Sequence, residues 1–470
     1  MMLRIKCIQE IYIEETNYDN KEFKMMHCVS KFEKGNQYVN VLGSISSNEL
    51  IHEELITEDF KTLKIHKFIP ASGAATRMFK DLYSFLESNK NNETTSKFFE
   101  YIREFPFYDE IIQLSVDKEF ENDLENQSNI VNILLEEMDY GTLPKALLKF
   151  HKYEDRTVTP LEEHLYEASF YLNDDVKRLH FTISREHEDA FNDELAKLDT
   201  EGYEITYSFQ KKSTDTLAVD MNHQPFIKED GELLYRAGGH GALIENLNDI
   251  DADIIFIKNI DNVCHRRHID ETITYKKKLA SIGYELKKKI DLMLHDLDDD
   301  EFDLVMIKKF LYEYLNMSVI SLTKEKARYL LDRPLRVCGL VVNQGEPGGG
   351  PFIVQNDGYT DVQICEKVEI DLSLEEQKSI LEESKYFNPV DLVCFVRDYK
   401  GEKYNLLNFI NKDRYFISEK TYKGQKIKAL EHPGLWNGAM HNWNTAFVEV
   451  PLITFNPVKS VVDLLKDGHS

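Results

Sequence analysis

The chain has 470 residues, 42% of them hydrophobic and 30% charged, which is enough apolar material for a sizeable core and excludes wholesale disorder. Lys and Arg number 57 against 83 Asp and Glu, a formal net charge of −26. Such a chain repels nucleic-acid phosphates and anionic membranes, so any phosphate-bearing ligand must enter a local pocket of positive potential.

The length fits two or three average domains, or one large α/β domain with insertions. The six cysteines include no C-x-x-C pair, which predicts unpaired thiols in a reducing compartment. The opening MMLRIKCIQEIYIEE has no apolar signal core, and no apolar run is long enough to span a bilayer. The expectation is a cytoplasmic globular protein with no membrane or nucleic-acid partner.

Residues 1–60 are polar and read as an N-terminal extension. Within them, Tyr38 to Ser46 is a candidate strand and Asn48 a candidate helix cap. Residues 64–70 (KIHKFIP) alternate as a strand does, the small-residue turn ASGAAT follows, and a helical pattern runs from Arg77 to about Ser88. Residues 91–138 predict mostly helix. Strands are expected at 178–184, 203–209 and 253–257, with a helix at 186–198. Strands alternating with helices predict a largely parallel sheet covered on both faces. Residues 271–331 contain two amphipathic stretches and predict a helical insertion. Strands resume at 335–342 and 362–365. Near the end, VEVPLITF predicts a strand and Val458 to Leu465 a helix.

Several segments carry chemistry. In ASGAAT, small residues between strand and helix let backbone amides approach a ligand closely, which suits phosphate, and Arg77 adds a fork of donors. A tight turn needs small residues for its own sake as well. In Arg236-Ala237-Gly238-Gly239-His240-Gly241 the glycines mean that the backbone turns sharply or touches something; His240 is a ligand contact, a base or a capped loop residue. In Asn259-Ile260-Asp261-Asn262 an Asp lies just past a buried strand, where α/β sheets bind ligands and where a carboxylate can hold Mg²⁺. Cys264, His265 and His268 lack a fourth ligand for zinc at sensible spacing. Glu346 to Pro351 is Gly-rich and reads as a flap or a wide turn. No P-loop, nucleophile elbow, H-E-x-x-H or kinase set occurs.

Taken in order, these segments resemble the sugar-1-phosphate nucleotidyltransferases, with the UDP-sugar pyrophosphorylases as the nearest branch. ASGAATRM is similar to the Gly-rich G-x-G-T-R signature, with Ser72 and Ala75 in place of glycines. PKALLKF and TPLEEHLYEA resemble the P-K and P-L…H segments, FTISREH the T-S-x-x-H strand and helix, and SFQ the F-Q segment. GGHGA resembles the G-H-G loop, NIDN the metal-side D-N motif, VQICEKVEID the Glu-bearing strand, FNPVDL an Asn-bearing loop, and TFNPVK the final Lys segment. The chain as a whole also resembles a bacterial family recorded only as a domain of unknown function.

The resemblance implies a Rossmann-like, doubly wound, mixed and mostly parallel α/β sheet of the glycosyltransferase-A type with helical insertions. Residues 61–400 would form the catalytic core, with insertions at about 91–138 and 271–331, and 401–470 would return a Lys to the site. The implied reaction is NTP, UTP favoured, plus sugar-1-phosphate giving NDP-sugar and pyrophosphate. Arg77, Lys145 and Lys459 would be catalytic. Ser72, Gly73, Ala74, Ala75, Thr76, Gln210, Gly239, His240 and Gly241 would bind nucleotide, Glu366 and Asn388 the sugar, and Asp261 Mg²⁺. Two alternatives remain open at this point: a degenerate nucleotide-binding regulator, and an NDP-sugar-dependent glycosyltransferase using Asn259 and Asp261 as a metal site. The sugar and the oligomeric state are not legible.

Overall fold

A computed structural model describes residues 21–73, 75–115, 120–345 and 348–470. Seven runs rich in β-branched and aromatic residues form one sheet: β1 (Ile65–Pro70), β2 (Lys177–Ile183), β3 (Tyr203–Phe209), β4 (Ile254–Lys258), β5 (Leu335–Val342), β6 (Tyr386–Phe395) and β7 (Asn444–Glu449). Their order is β7-β5-β6-β4-β1-β2-β3. β1 is parallel to β2 and β4, β2 to β3, and β5 to β7. β6 alone in this sheet runs antiparallel, against β4 and β5.

β4 shows why the sheet is buried on both faces. Ile254 and Phe256 join a core with Leu279 and Leu286 of the helix Ile269–Asp298. Ile255 and Ile257 point the other way, into a core with Trp443 and Leu247, as strand alternation requires. The predicted 271–331 region is helical, at Ile269–Asp298, Leu304–Leu315 and Lys324–Leu331, and its apolar stripes cover the first face. The described residues of 91–138 form short helices, among them Glu93–Glu100, Tyr108–Leu114 and Leu124–Asn132, over a third core that also takes Val458 and Val461. Among the described residues no helix is long and apolar enough to cross a membrane.

The structure departs from expectation at five places. The Asn-bearing segment FNPVDL is not a loop but part of β6. Pro389 argues against a central strand, yet the register against β5 slips between Gly339 and Val341, and Val390 adopts φ 59°; this bulge absorbs the missing donor. Gly349 and Gly350 open the strand Gly349–Asn356, which pairs with Tyr359–Glu366, where a flap or turn was expected. The strand expected over VEVPLITF ends at Glu449, and a 3-10 turn covers Leu452–Thr454, because Pro451 has no N–H for the ladder. The terminal helix is only a 3-10 turn, Val461–Leu465. Ser46, not Asn48, caps its neighbouring turn, in a reciprocal box with Glu49.

Under the crevice lies a buried ionic cluster. Glu167 accepts from Lys67 of β1 at 3.2 Å and Lys258 of β4 at 2.7 Å, and Lys276 pairs with Asp391 of β6. Burial pushes the Lys67 ammonium down to about 7, against the pull of Glu167, while an unfolded Lys titrates near 10.4. Between about pH 7 and 10 the unfolded chain therefore binds more protons at this residue, and its contribution to stability rises with pH. Urea midpoints at pH 7 and 9.5 test this: the rise is expected to be smaller in Lys67→Met than in wild type, and parallel midpoints would contradict it.

Candidate active site

From β1 the chain winds outward through β2 and β3, and β4 then adds on the opposite side of β1. The strand order reverses between β1 and β4, and such a reversal leaves a crevice beyond the carboxyl ends of the strands. The Ile260 N–H donates to the Pro70 carbonyl at 3.3 Å and ties these two ends together. His164 Nε2 lies 3.2 Å from the carbonyls of both Asn259 and Ile260. A carbonyl only accepts, so the ring proton sits on Nε2. Burial, and then the Lys67 charge, hold His164 well below the usual imidazole range, so the ring is a neutral clamp on the turn that carries Asp261.

Three segments far apart in sequence meet at that turn. Lys145 Nζ lies 2.6 Å from Asp261 Oδ2 and donates to the Val458 carbonyl at 2.5 Å. The Asn456 N–H donates to Asn262 Oδ1 at 2.8 Å, and Asn262 bridges to Pro457. The Asn262 Nδ2 amide is buried with no hydrogen-bond partner among the described residues.

A cleft of about 300 Å³ opens here, lined by Asp261, Asn262, Glu366, Asn388, Trp436 and Lys459 among others. Among the described residues the lining contains no Ser, Thr or Cys. Asn388 directs Oδ1 to the Val390 N–H at 3.2 Å, and its Nδ2 also lacks a partner among the described residues. Glu366 accepts from Asn437 Nδ2 at 2.8 Å and faces His240 Nε2 at 3.6 Å. Burial raises the Glu366 carboxyl, but His240, Asn437 and the Arg414 charge pull it net below its ordinary value. The Leu435 N–H donates to His240 Nδ1 at 3.1 Å, which leaves the ring proton on Nε2, toward Glu366. The ring stacks on Trp436 at 4.3 Å.

The other predicted positions lie outside this lining. Ser72 and Gly73 form the lip after β1; the Gly73 carbonyl accepts the Lys145 N–H at 3.4 Å. Ala75 is buried and spends its N–H on the Leu143 carbonyl at 3.2 Å. Thr76 and Arg77 are exposed, and Ala74 lies outside the described residues. Gln210, just past β3, donates to Thr214 Oγ1 at 3.4 Å. The sequence offered His164 only as the His of the P-L…H segment, without a role, and did not single out Trp436 or Asn437. Trp436 is one of only two tryptophans, the one signal that was available.

Asp261 is a single carboxylate, and among the described residues no group of three His, Cys, Asp or Glu is placed to hold a metal ion. A lone carboxylate can hold a cation such as Mg²⁺ only together with oxygens that a ligand brings.

The family model described as "Domain of unknown function (DUF4301)" matches residues 8–470. The chain belongs to that family. No curated protein matches it. Solved structures similar to it include UDP-glucose pyrophosphorylase from Leishmania major in open and closed forms, at 12% identity and TM-score 0.47, covering 94% of this chain and 74% of that one. A variant of the same enzyme in complex with UDP-glucose gives 12% identity, TM-score 0.49 and the same coverages, 94% and 74%. The UDP-glucose phosphorylase of Trypanosoma brucei gives 12%, TM-score 0.42, and 99% and 74%.

In this DUF4301 chain the Gly238–Gly241 loop presses on the chain itself. A Cβ at Gly241 would sit 2.1 Å from the Pro433 carbonyl oxygen, and one at Gly238 would sit 2.3 Å from the His432 ring. A Cβ at Gly73 meets nothing within 4 Å. Gly241→Ala is therefore expected to lose more than about 2 kcal/mol in urea unfolding and Gly73→Ala less than about 0.5 kcal/mol; equal losses would contradict this division.

Proposed function

We propose that the cleft catalyses nucleotidyl transfer: an NTP, UTP favoured, and a sugar-1-phosphate give an NDP-sugar and pyrophosphate. The observation that carries this reading is the convergence of Lys145, Asp261 and Lys459 from three remote segments on the crevice where the strand order reverses. In a chain of net charge −26, such a local pair of cations is what a polyphosphate needs. The sheet is proposed to be of the Rossmann-like glycosyltransferase-A type, with residues 61–400 as its core and 401–470 returning Lys459.

A sugar phosphate oxygen attacks the α-phosphorus in line, the bond from the α-phosphorus to the bridging oxygen breaks, and pyrophosphate leaves. The nucleophile is already ionised near neutral pH, so no general base is needed. Catalysis reduces to positioning and charge neutralisation. Lys145 and Lys459 hold the α-phosphate and the sugar phosphate. Arg77, exposed in the turn that follows β1, meets the departing pyrophosphate. Ser72, Gly73, Ala75 and Thr76 shape the loop over the triphosphate, and Gln210, Gly239, His240 and Gly241 border the nucleotide. Glu366 and Asn388 take sugar hydroxyls, with the unpartnered Asn388 amide as donor. Mg²⁺, held by Asp261 and the phosphates, would supply charge neutralisation on the triphosphate.

Pyrophosphate release with each NTP and a panel of sugar-1-phosphates tests the reading. Lys459→Ala is expected to lower kcat by about 10²–10³, and chelation of Mg²⁺ to abolish release. A Lys459→Ala variant with wild-type turnover would remove Lys459 from the mechanism. Nucleotide binding without pyrophosphate from any pair would favour the regulatory reading instead.

A further inference from the structure

Behind the cleft wall lies a second set of titratable groups that the proposed reaction does not use. His151, Glu163 and His469 are each 3% exposed or less and form a chain. His151 Nδ1 lies 2.8 Å from Glu163 Oε1. His151 Nε2 lies 2.9 Å from His469 Nδ1. His469 Nε2 lies 2.9 Å from the Asn456 carbonyl oxygen. Tyr153 donates its hydroxyl to Glu163 Oε1 at 2.7 Å, and Arg266 Nε donates to Oε2 at 3.0 Å. Burial raises the Glu163 carboxyl, but His151, Arg266 and Tyr153 leave it net below its ordinary value, so it is a carboxylate.

The two ends of this chain dictate its proton count. A carbonyl and a carboxylate only accept. His469 must therefore carry hydrogen on Nε2, and His151 on Nδ1. The two inner nitrogens face each other at hydrogen-bond distance, which requires one more proton between them. Three protons on four ring nitrogens give the pair one positive charge. Two neutral rings would force a lone pair against the Asn456 carbonyl, against Glu163, or against the other ring. Burial first, and then the His151 charge, push His469 down to about 3. The other groups around the pair are the His265 ring, 5.7 Å from His151, the Phe150 ring edge, 6.1 Å from His469, and the charges of Asp463 and Lys466.

The carbonyl that this pair grips belongs to the segment forming the cleft wall. Asn456 binds Asn262 through its own N–H, Pro457 and Lys459 line the cleft, and Lys145 holds the Val458 carbonyl. The fit is close, since a Cβ at Gly468 would sit 2.0 Å from Asn456 Oδ1. We propose that His151 and His469 form a singly protonated imidazole pair, charge-balanced by Glu163, that positions Lys459 by holding the Asn456 carbonyl. The catalytic half of this statement rests on the nucleotidyl-transfer reading, while the proton count and the grip do not.

Ring-nitrogen NMR on whole protein labelled at histidine, with His151→Gln and His469→Gln for assignment, counts the protons directly. Three N–H groups on the pair are expected, and two neutral rings would overturn the proposal. Hydrogen exchange then reads the grip. In His469→Leu, amides of residues 455–460 are expected to exchange about tenfold faster. In His469→Gln, whose amide can still donate to the Asn456 carbonyl, wild-type exchange is expected. Equal exchange in the two variants would overturn the grip. In the pyrophosphate assay His469→Leu is expected to lose up to about 10² in kcat with little change in KM, and His469→Gln to restore it. Wild-type protein that forms no pyrophosphate would sink the nucleotidyl-transfer reading alone, and NMR and exchange would still decide the imidazole pair.

Discussion

The buried carboxylate of Glu167 is the point on which the rest of the structure rests. It accepts from Lys67 of β1 and Lys258 of β4 and from the Tyr171 hydroxyl at 2.8 Å. These residues are at most 1% exposed. Desolvating such charges costs several kcal/mol per ion, and removing one partner from a buried pair costs about 3–5 kcal/mol, so the cluster is tolerated only if complete. Its completeness fixes the two strands between which the strand order reverses. Lys67 Nζ also donates to the His164 carbonyl at 3.2 Å, and the His164 ring clamps the turn leading to Asp261. The interior charge cluster and the cleft are thus one connected set of hydrogen bonds.

From Asp261 the connection continues outward. Lys145 bridges Asp261 and the Val458 carbonyl, so one ammonium joins β4, the helical layer and the segment bearing Lys459. On the opposite wall, His240, Trp436 and Glu366 are held by a loop whose glycines let it pack directly on Pro433 and His432. The walls are built by unrelated stretches of chain, and polar side chains left partly unsatisfied, Asn262 and Asn388, face the space between them.

Much of the sheet was legible because β1, β4 and β5 are short runs dominated by β-branched, aromatic and other apolar residues, each carrying one buried cation (Lys67, Lys258 and Arg336) that the pattern did not explain. β6 was not, because Pro389 argues against a strand and only the bulge at Val390 reconciles it. Gly349 and Gly350 read as a turn, yet they pair with Glu366 and Cys365. In the site, Lys145, Asp261, Lys459, Glu366 and Asn388 were singled out from the sequence; Asp261, Lys459, Glu366 and Asn388 line one cleft, and Lys145 is bonded to Asp261. The glycines of the Gly238–Gly241 loop announced a close approach, but not that the partner would be residues 431–434. Glu167 pairs with Lys67 across 100 positions and His151 with His469 across 318, and no local pattern reveals contacts at such separation.

Thermal unfolding of the purified chain with Mg²⁺ and each NTP, and then with a panel of NDP-sugars, tests the central claim most directly. A selective rise is expected with one NTP and its matching NDP-sugar, worth roughly 2.7 kcal/mol at 100 times Kd and a few degrees in Tm. No rise with any nucleotide would contradict it, and Lys145, Asp261 and Lys459 would then hold the cleft walls together without serving a polyphosphate.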